Sequence, residues 1–203
     1  MTKARPGTHH SRPWRCYSPH WSSMPNSLSG YDSDVARLLY HAGVSVDMNY
    51  GPTASGAHIS DAAYALKTYF KYSDLLSFVW KSDYSTDDWT ALLREEIDNN
   101  RPVLYRGYDV EAEGGHAFVC DGYSGADYFH FNWGWYGSYK DEYFYLNDLT
   151  PSSHNYSYSQ AAVIGIRPPV PPVGYFDNAT CDSLDGWAKD PDTTDPIYIR
   201  PLA

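Results

Sequence analysis

Between residues 34 and 98 apolar side chains recur every three or four positions, and after Pro102 they recur every second position. The first period predicts three helices. One covers 34–41 (DVARLLYH) and ends at Gly43 as its C-cap. In the second, Ser60 caps SDAAYALKTYF, where Ala63, Leu66 and Phe70 share a face. The third opens at Thr86, carries Trp89, Leu92, Leu93 and Ile97, and closes at Asn99 and Asn100 ahead of Arg101-Pro102. The twofold period predicts strands at 103–108, 116–123, 128–134, 142–148 and 161–167. Helices followed by an antiparallel meander define an α+β body, and no internal repeat runs through it.

Composition adds boundaries to this picture. The chain has 203 residues, 42% hydrophobic and 17% aromatic, with 20 Tyr and 7 Trp, so a sizeable core is expected. Its net charge of −10 argues against nucleic acid or an anionic membrane as the main partner. No apolar run approaches the ~18 residues of a membrane span. Residues 1–30 hold four basic side chains and no acid, whereas 11 basic and 25 acidic residues follow. Residues 1–20 therefore read as an unrelated or disordered leader, and they contain no apolar h-region of a signal peptide. The folded body is expected at 21–167. PPVPPV at 168–173 reads as a stiff linker. Residues 174–203 resemble the opening of a small bacterial β-sandwich module that begins G-Y-x-D-x-A-x-C and continues G-W-A-x-D-P. About 30 residues bury too little to fold alone, so this piece reads as a truncated start.

Candidate chemistry concentrates in GGHAFVCDGYSGADYFHFNWGW, residues 114–135. A tight turn at Ser124-Gly125-Ala126-Asp127 would pair the flanking strands. A two-residue turn would set His116 opposite Trp135 and leave Asn132 on the other face. A three-residue loop or one bulge would turn His116 and Asn132 to the same face, and such an irregularity is expected. The Asn132 carboxamide would then fix the imidazole tautomer and leave the other ring nitrogen as a base. Gly114 and Gly115 would allow close backbone approach or positive φ. The alternative is two ordinary core strands that contain one satisfied histidine, and the pattern alone leaves both readings open.

The same stretch, continued through YGSYKDEYFYLNDLTP and SQAAVIGI, resembles the streptopain family of papain-like bacterial cysteine peptidases. The resemblance starts at MPNSLSGYDSDVARLLYHAGVSVDMNYGPTASGA, runs through STDDWTALLREEIDNNRPVLYRG, and covers about residues 21–168. It implies an incomplete papain-like fold and a peptide or protein substrate, with no metal or organic cofactor. By resemblance His116 is the general base, Asn132 its orienting partner, and Trp133 the aromatic shielding that contact. Gly114 and Gly115 would line the cleft. Ser55 and Gly56, in the loop 53–57, would border the pocket for the substrate's second acyl-side residue. Family members are secreted.

The nucleophile is the point of departure. A reactive thiolate has to lie within about 3.5 Å of the imidazole, usually at a helix N-terminus. The family's G-C-V-A-T-A-like segment, and the oxyanion donor expected with it, do not occur in this chain. Cys16 lies between Pro13 and Pro19, where no long helix can start. Cys120 stands four residues from His116 on one strand, about 13 Å away, and reads as a buried small hydrophobe. Cys181 falls in the appended piece. His9, His10, Cys16 and His20 match no zinc signature, so no metal site is expected. The resulting expectation is a cysteine endopeptidase by family whose present chain is truncated and inactive. The rivals are a non-catalytic peptide-binding protein and a carbohydrate- or surface-binding module.

Overall fold

The computed structural model describes residues 20–135, 142–168, 170, 173–179, 184–189 and 191. Its centre is a six-stranded antiparallel sheet in the order β1-β6-β2-β3-β4-β5. The strands are β1 (Ser77–Trp80), β2 (Val103–Asp109), β3 (Gly114–Ser124), β4 (Tyr128–Asn132), β5 (Tyr143–Tyr145) and β6 (Tyr158–Ile164). Strands β2 to β5 form the expected meander. The last strand then departs from it and returns to lie between β1 and β2. Strand β1 escapes the twofold reading because SFVW is only four residues long and its neighbour Lys81 already begins a 3-10 turn.

The three helices are α1 (Ser33–Ser45), α2 (Ile59–Thr68) and α3 (Thr86–Asp98). Two predicted caps are corrected. Gly43 does not end α1, which runs on to Ser45. It is buried inside the helix, where a Cβ would meet the Tyr50 hydroxyl. Ser60 does not cap α2; the cap position is His58, and its side chain makes no capping bond. Helix α3 starts as its sequence predicts, with Ser85 Oγ accepting from the Asp88 N–H, and stops at Asn99.

Helices α1 and α2 lie together, α2 against β1 and β6, while α3 packs on β2 and β3. Strand β2 alternates without a break: Val103, Tyr105, Gly107 and Asp109 are buried, and the residues between them only partly so. The buried set faces the larger core, made of Trp89, Leu93, Phe118, Cys120, Phe129, Phe131 and Trp133 with their neighbours. Leu104 points the other way, toward Ile59, Ala63, Leu76 and Val163. Inside the larger core Trp89 donates to the Tyr105 hydroxyl at 3.0 Å, and that hydroxyl donates to Gln160. Gln160 in turn donates to the Leu146 and Ser157 carbonyls at 2.7 Å each. Buried Glu96 accepts two bonds from Arg101 and one from the Gly165 N–H, tying the end of α3 to the end of β6.

Val173–Ala179 (β7) and Leu184–Lys189 (β8) form a separate two-stranded antiparallel sheet, so Val173, expected in the linker, opens a strand. Residues 1–19, which include Cys16, and the segment around Cys181 lie outside the described residues. Among those described, no helix is long and apolar enough to cross a membrane.

Candidate active site

The β3–β4 register decides how His116 and Asn132 relate. Ser124 pairs with Tyr128, so the connection is a three-residue loop with Gly125 at φ +67°. A bulge at Asp121 then shifts the register a second time, in the opposite sense. The two shifts cancel, and Asn132 ends opposite Val119. Side chains alternate along β3, so Asn132 shares the face of Val119 while His116 shares that of Phe118 and Cys120. The burial pattern agrees: Phe131 and Trp133 are buried and Asn132 between them is exposed. The expected His116–Asn132 pair is therefore not formed. One irregularity would have aligned the two residues; two restore the original offset.

The imidazole is nevertheless held, by a different acceptor. His116 Nε2–H donates to the Trp133 main-chain carbonyl at 2.8 Å. A carbonyl can only accept, so the neutral ring carries its proton on Nε2 and leaves Nδ1 as the basic nitrogen. Asn132 Oδ1 instead accepts from the Gly134 N–H at 3.0 Å, and Gly134 takes φ +74°. Asn132 thus closes the turn that presents the Trp133 carbonyl. Aromatic rings surround the imidazole: Trp135 at 5.0 Å, Tyr156 at 5.4 Å, Phe118 at 5.8 Å and Trp133, nearly parallel, at 6.4 Å. The buried Trp133 indole N–H has no acceptor among the described residues.

Gly114 and Gly115 are not required by the chain's own backbone geometry. Neither takes positive φ, and a Cβ on either would meet its neighbours only at ordinary contact distance. The glycine that sterics demand is Gly107, directly opposite His116, where a Cβ would lie 1.9 Å from the Tyr156 carbonyl oxygen. Because Gly107 has no side chain, the segment 154–157 can close over β2 and bring Tyr156 to the imidazole. Asp109, two residues on, accepts from the Glu111 and Ala112 N–H groups, the Asn155 N–H and His154 Nδ1–H. The bond from the Ala112 N–H leads the causes that hold its carboxyl below the usual range, and His154 adds to it. Gly107, Asp109, His154, Trp135 and Tyr156 were missed in the sequence. Only Gly107, a lone glycine inside a strand pattern, carried a signal that could have found it.

Gly115, His116, Ser55 and Gly56 line one cavity of about 980 Å³, between α1, the loop 46–58, α2 and strands β1, β2 and β3. Gly114, Asn132 and Trp133 are not among its lining residues. Leu39, Val46, Met48, Phe78 and Leu104 make its wall apolar, and Arg106 lies over the Trp80 ring at 5.3 Å. Asn49 and Gly56 exchange two backbone bonds and hold Ser55 and Gly56 at its edge. Among the described residues the free thiol is Cys120, fully buried, and burial pushes its pKa up. Buried and with a raised pKa, it lacks the exposed thiolate character of a reactive cysteine. No described cluster of three His, Cys, Asp or Glu side chains could hold a metal.

A family model described as the peptidase C10 family matches residues 3–144. The chain belongs to that family. The match begins inside the compositionally distinct first 20 residues. Peptidase C10 proteins are cysteine peptidases. Streptopain from Streptococcus pyogenes is 38% identical over 161 residues, which cover 73% of this chain and 40% of streptopain. The thiol protease/hemagglutinin PrtT of Porphyromonas gingivalis is 37% identical over 161 residues, 18% of its length. The chain thus spans well under half of the curated relatives it matches. The active wild-type interpain A cysteine protease of Prevotella intermedia superposes with a TM-score of 0.67 at 32% identity, covering 74% of this chain and 65% of that one. A prointerpain A fragment gives 0.62 at 33% identity. The α+β fold is therefore that of the papain-like cysteine proteases.

Proposed function

We propose that this chain supplies the histidine-bearing part of a cysteine endopeptidase site. A thiolate attacks the peptide carbonyl and an acyl-enzyme forms. His116 passes the proton first to the leaving amine and later takes one from the deacylating water. The bond from His116 Nε2–H to the Trp133 carbonyl carries this reading, because it reserves Nδ1 for proton transfer. Asn132 acts by setting the turn at 132–134, and Trp133 by its carbonyl and its shielding ring. Gly115 borders the cleft, with Gly114 next to it in the strand. Ser55 and Gly56, on the same cavity as His116, face the substrate's acyl side.

The thiolate comes from outside the described residues, and the chain alone has little or no peptidase activity. Its substrates are peptides or proteins, with no nucleic-acid or membrane partner, and it acts outside the cell. Support for a thiolate from outside the described residues is the burial of Cys120 in the core. The test is casein turnover under reducing conditions by the full chain, by Cys16→Ala, by His116→Ala and by alkylated protein. No turnover with a folded spectrum is expected. Turnover lost with Cys16→Ala would place the nucleophile in the first 20 residues. Turnover that survives both Cys16→Ala and alkylation would overturn thiol chemistry. Peptide retained in the cavity without turnover would favour a non-catalytic binding protein.

A further inference from the structure

Asp109 is 3% exposed and carries four hydrogen bonds that divide between its oxygens. Oδ1 accepts from Glu111 N–H at 2.9 Å and Ala112 N–H at 3.1 Å, which shapes the turn between β2 and β3. Oδ2 accepts from Asn155 N–H at 3.1 Å and His154 Nδ1–H at 3.0 Å, which belong to a segment more than forty residues away in sequence. From there the chain continues directly to Tyr156, whose amide donates to the Leu149 carbonyl at 2.9 Å. The Tyr156 ring lies 5.4 Å from the His116 imidazole and 5.9 Å from the His154 ring. Gly107 sits under this segment with no space for a side chain. The anchor, the strap and the imidazole thus form one continuous set of contacts on the inner face of β2 and β3.

We propose that Asp109 is a positioning residue for His116: it anchors the strap 154–156, so that Tyr156 lies against the imidazole and keeps it on the Trp133 carbonyl. Without the anchor the strap can lift and the ring gains room to leave that acceptor. The inference rests on reading His116 as the base, but its test needs no turnover. Casein turnover that survives both Cys16→Ala and alkylation would sink the thiol-peptidase reading and leave this result untouched.

Asp109→Asn discriminates between the two halves of the anchor. The amide oxygen can still accept from Glu111 and Ala112, but the new NH2 group would face the Asn155 N–H, two donors without an acceptor. The turn survives and the strap is released. The readout is the nitrogen NMR of the His116 ring in the full chain at neutral pH. In the unaltered protein one nitrogen is expected to be protonated and the other not, with well separated signals. Asp109→Asn and Tyr156→Leu are each expected to bring these signals toward the average of a free imidazole, and His154→Ala to do so partway. An unchanged separation in folded Asp109→Asn or in folded Tyr156→Leu overturns the proposal. If Asp109→Asn does not fold, His154→Ala and Tyr156→Leu decide, and no change in either one overturns it.

Discussion

The His116 imidazole donates to the carbonyl oxygen of Trp133 at 2.8 Å, while the neighbouring Asn132 side chain turns away to the Gly134 N–H. A main-chain acceptor cannot be removed by substitution, and this shapes the first prediction. Asn132→Ala is expected to leave His116 in the Nε2–H tautomer and to cost about 1 kcal/mol of stability through loss of the turn bond. Ring-nitrogen NMR and urea denaturation measure the two effects separately. A randomised tautomer would mean that the Trp133 carbonyl holds the imidazole only while the Asn132 turn bond is intact.

Asp109 has its pKa lowered, chiefly by the Ala112 N–H. Its stabilisation is therefore fully present above the unfolded carboxylate pKa of about 3.9 and is lost as pH falls from there through the lower folded value. Acid unfolding of Asp109→Asn is expected to show a shallower loss of stability below pH ~4 than the unaltered chain. Parallel curves would mean the carboxylate's bonds add nothing to the fold.

Glu96 joins Arg101 to the Gly165 N–H in a mostly buried site, with 7% side-chain exposure on the acid and 20% on the base. Glu96→Ala would strand a guanidinium and a backbone donor together. The expected cost is about 3 kcal/mol in chemical denaturation. A loss under about 1 kcal/mol would show that water reaches both donors.

Tyr105→Phe removes the hydroxyl shared by Trp89 and Gln160 inside the core. It leaves one buried donor and one buried acceptor without their partner, at a cost of about 2 kcal/mol. Thermal unfolding with and without the change would report it.

Cys120 is expected to resist alkylation in the folded chain at mildly alkaline pH and to react once urea exposes it, because burial raises its pKa. Its linkage has the opposite sign to that of Asp109: above about pH 8.5 the unfolded thiol loses its proton while the buried one does not, so stability falls as pH rises. Labelling of Cys120 as rapid as that of a small thiol under native conditions would mean that the core opens around β3.

Local pattern carried the helices and most of the sheet. Trp89 and Leu93 recur at helical spacing, and Val103, Tyr105, Phe118 and Cys120 alternate as strand residues do, so their burial follows from period alone. Gly43 misled because a glycine near a predicted helix end reads as a stop. Here the Tyr50 hydroxyl occupies the space a side chain would need, and the helix continues past it. That contact joins α1 to a loop and has no periodic trace.

The sequence by itself determined the α+β class, the family, and the importance of the ribbon holding His116, because these depend on residue order within short windows. Tertiary structure alone decided which atom holds the imidazole. A loop and a bulge each move the register by one, and only their sum settles the face on which Asn132 stands. The strap from Asp109 through His154 to Tyr156 is likewise tertiary: its two sides are 45 residues apart and meet only because β6 returns beside β2. Periodicity reports which way a side chain points from its own strand; it holds no information about which distant segment will be waiting there.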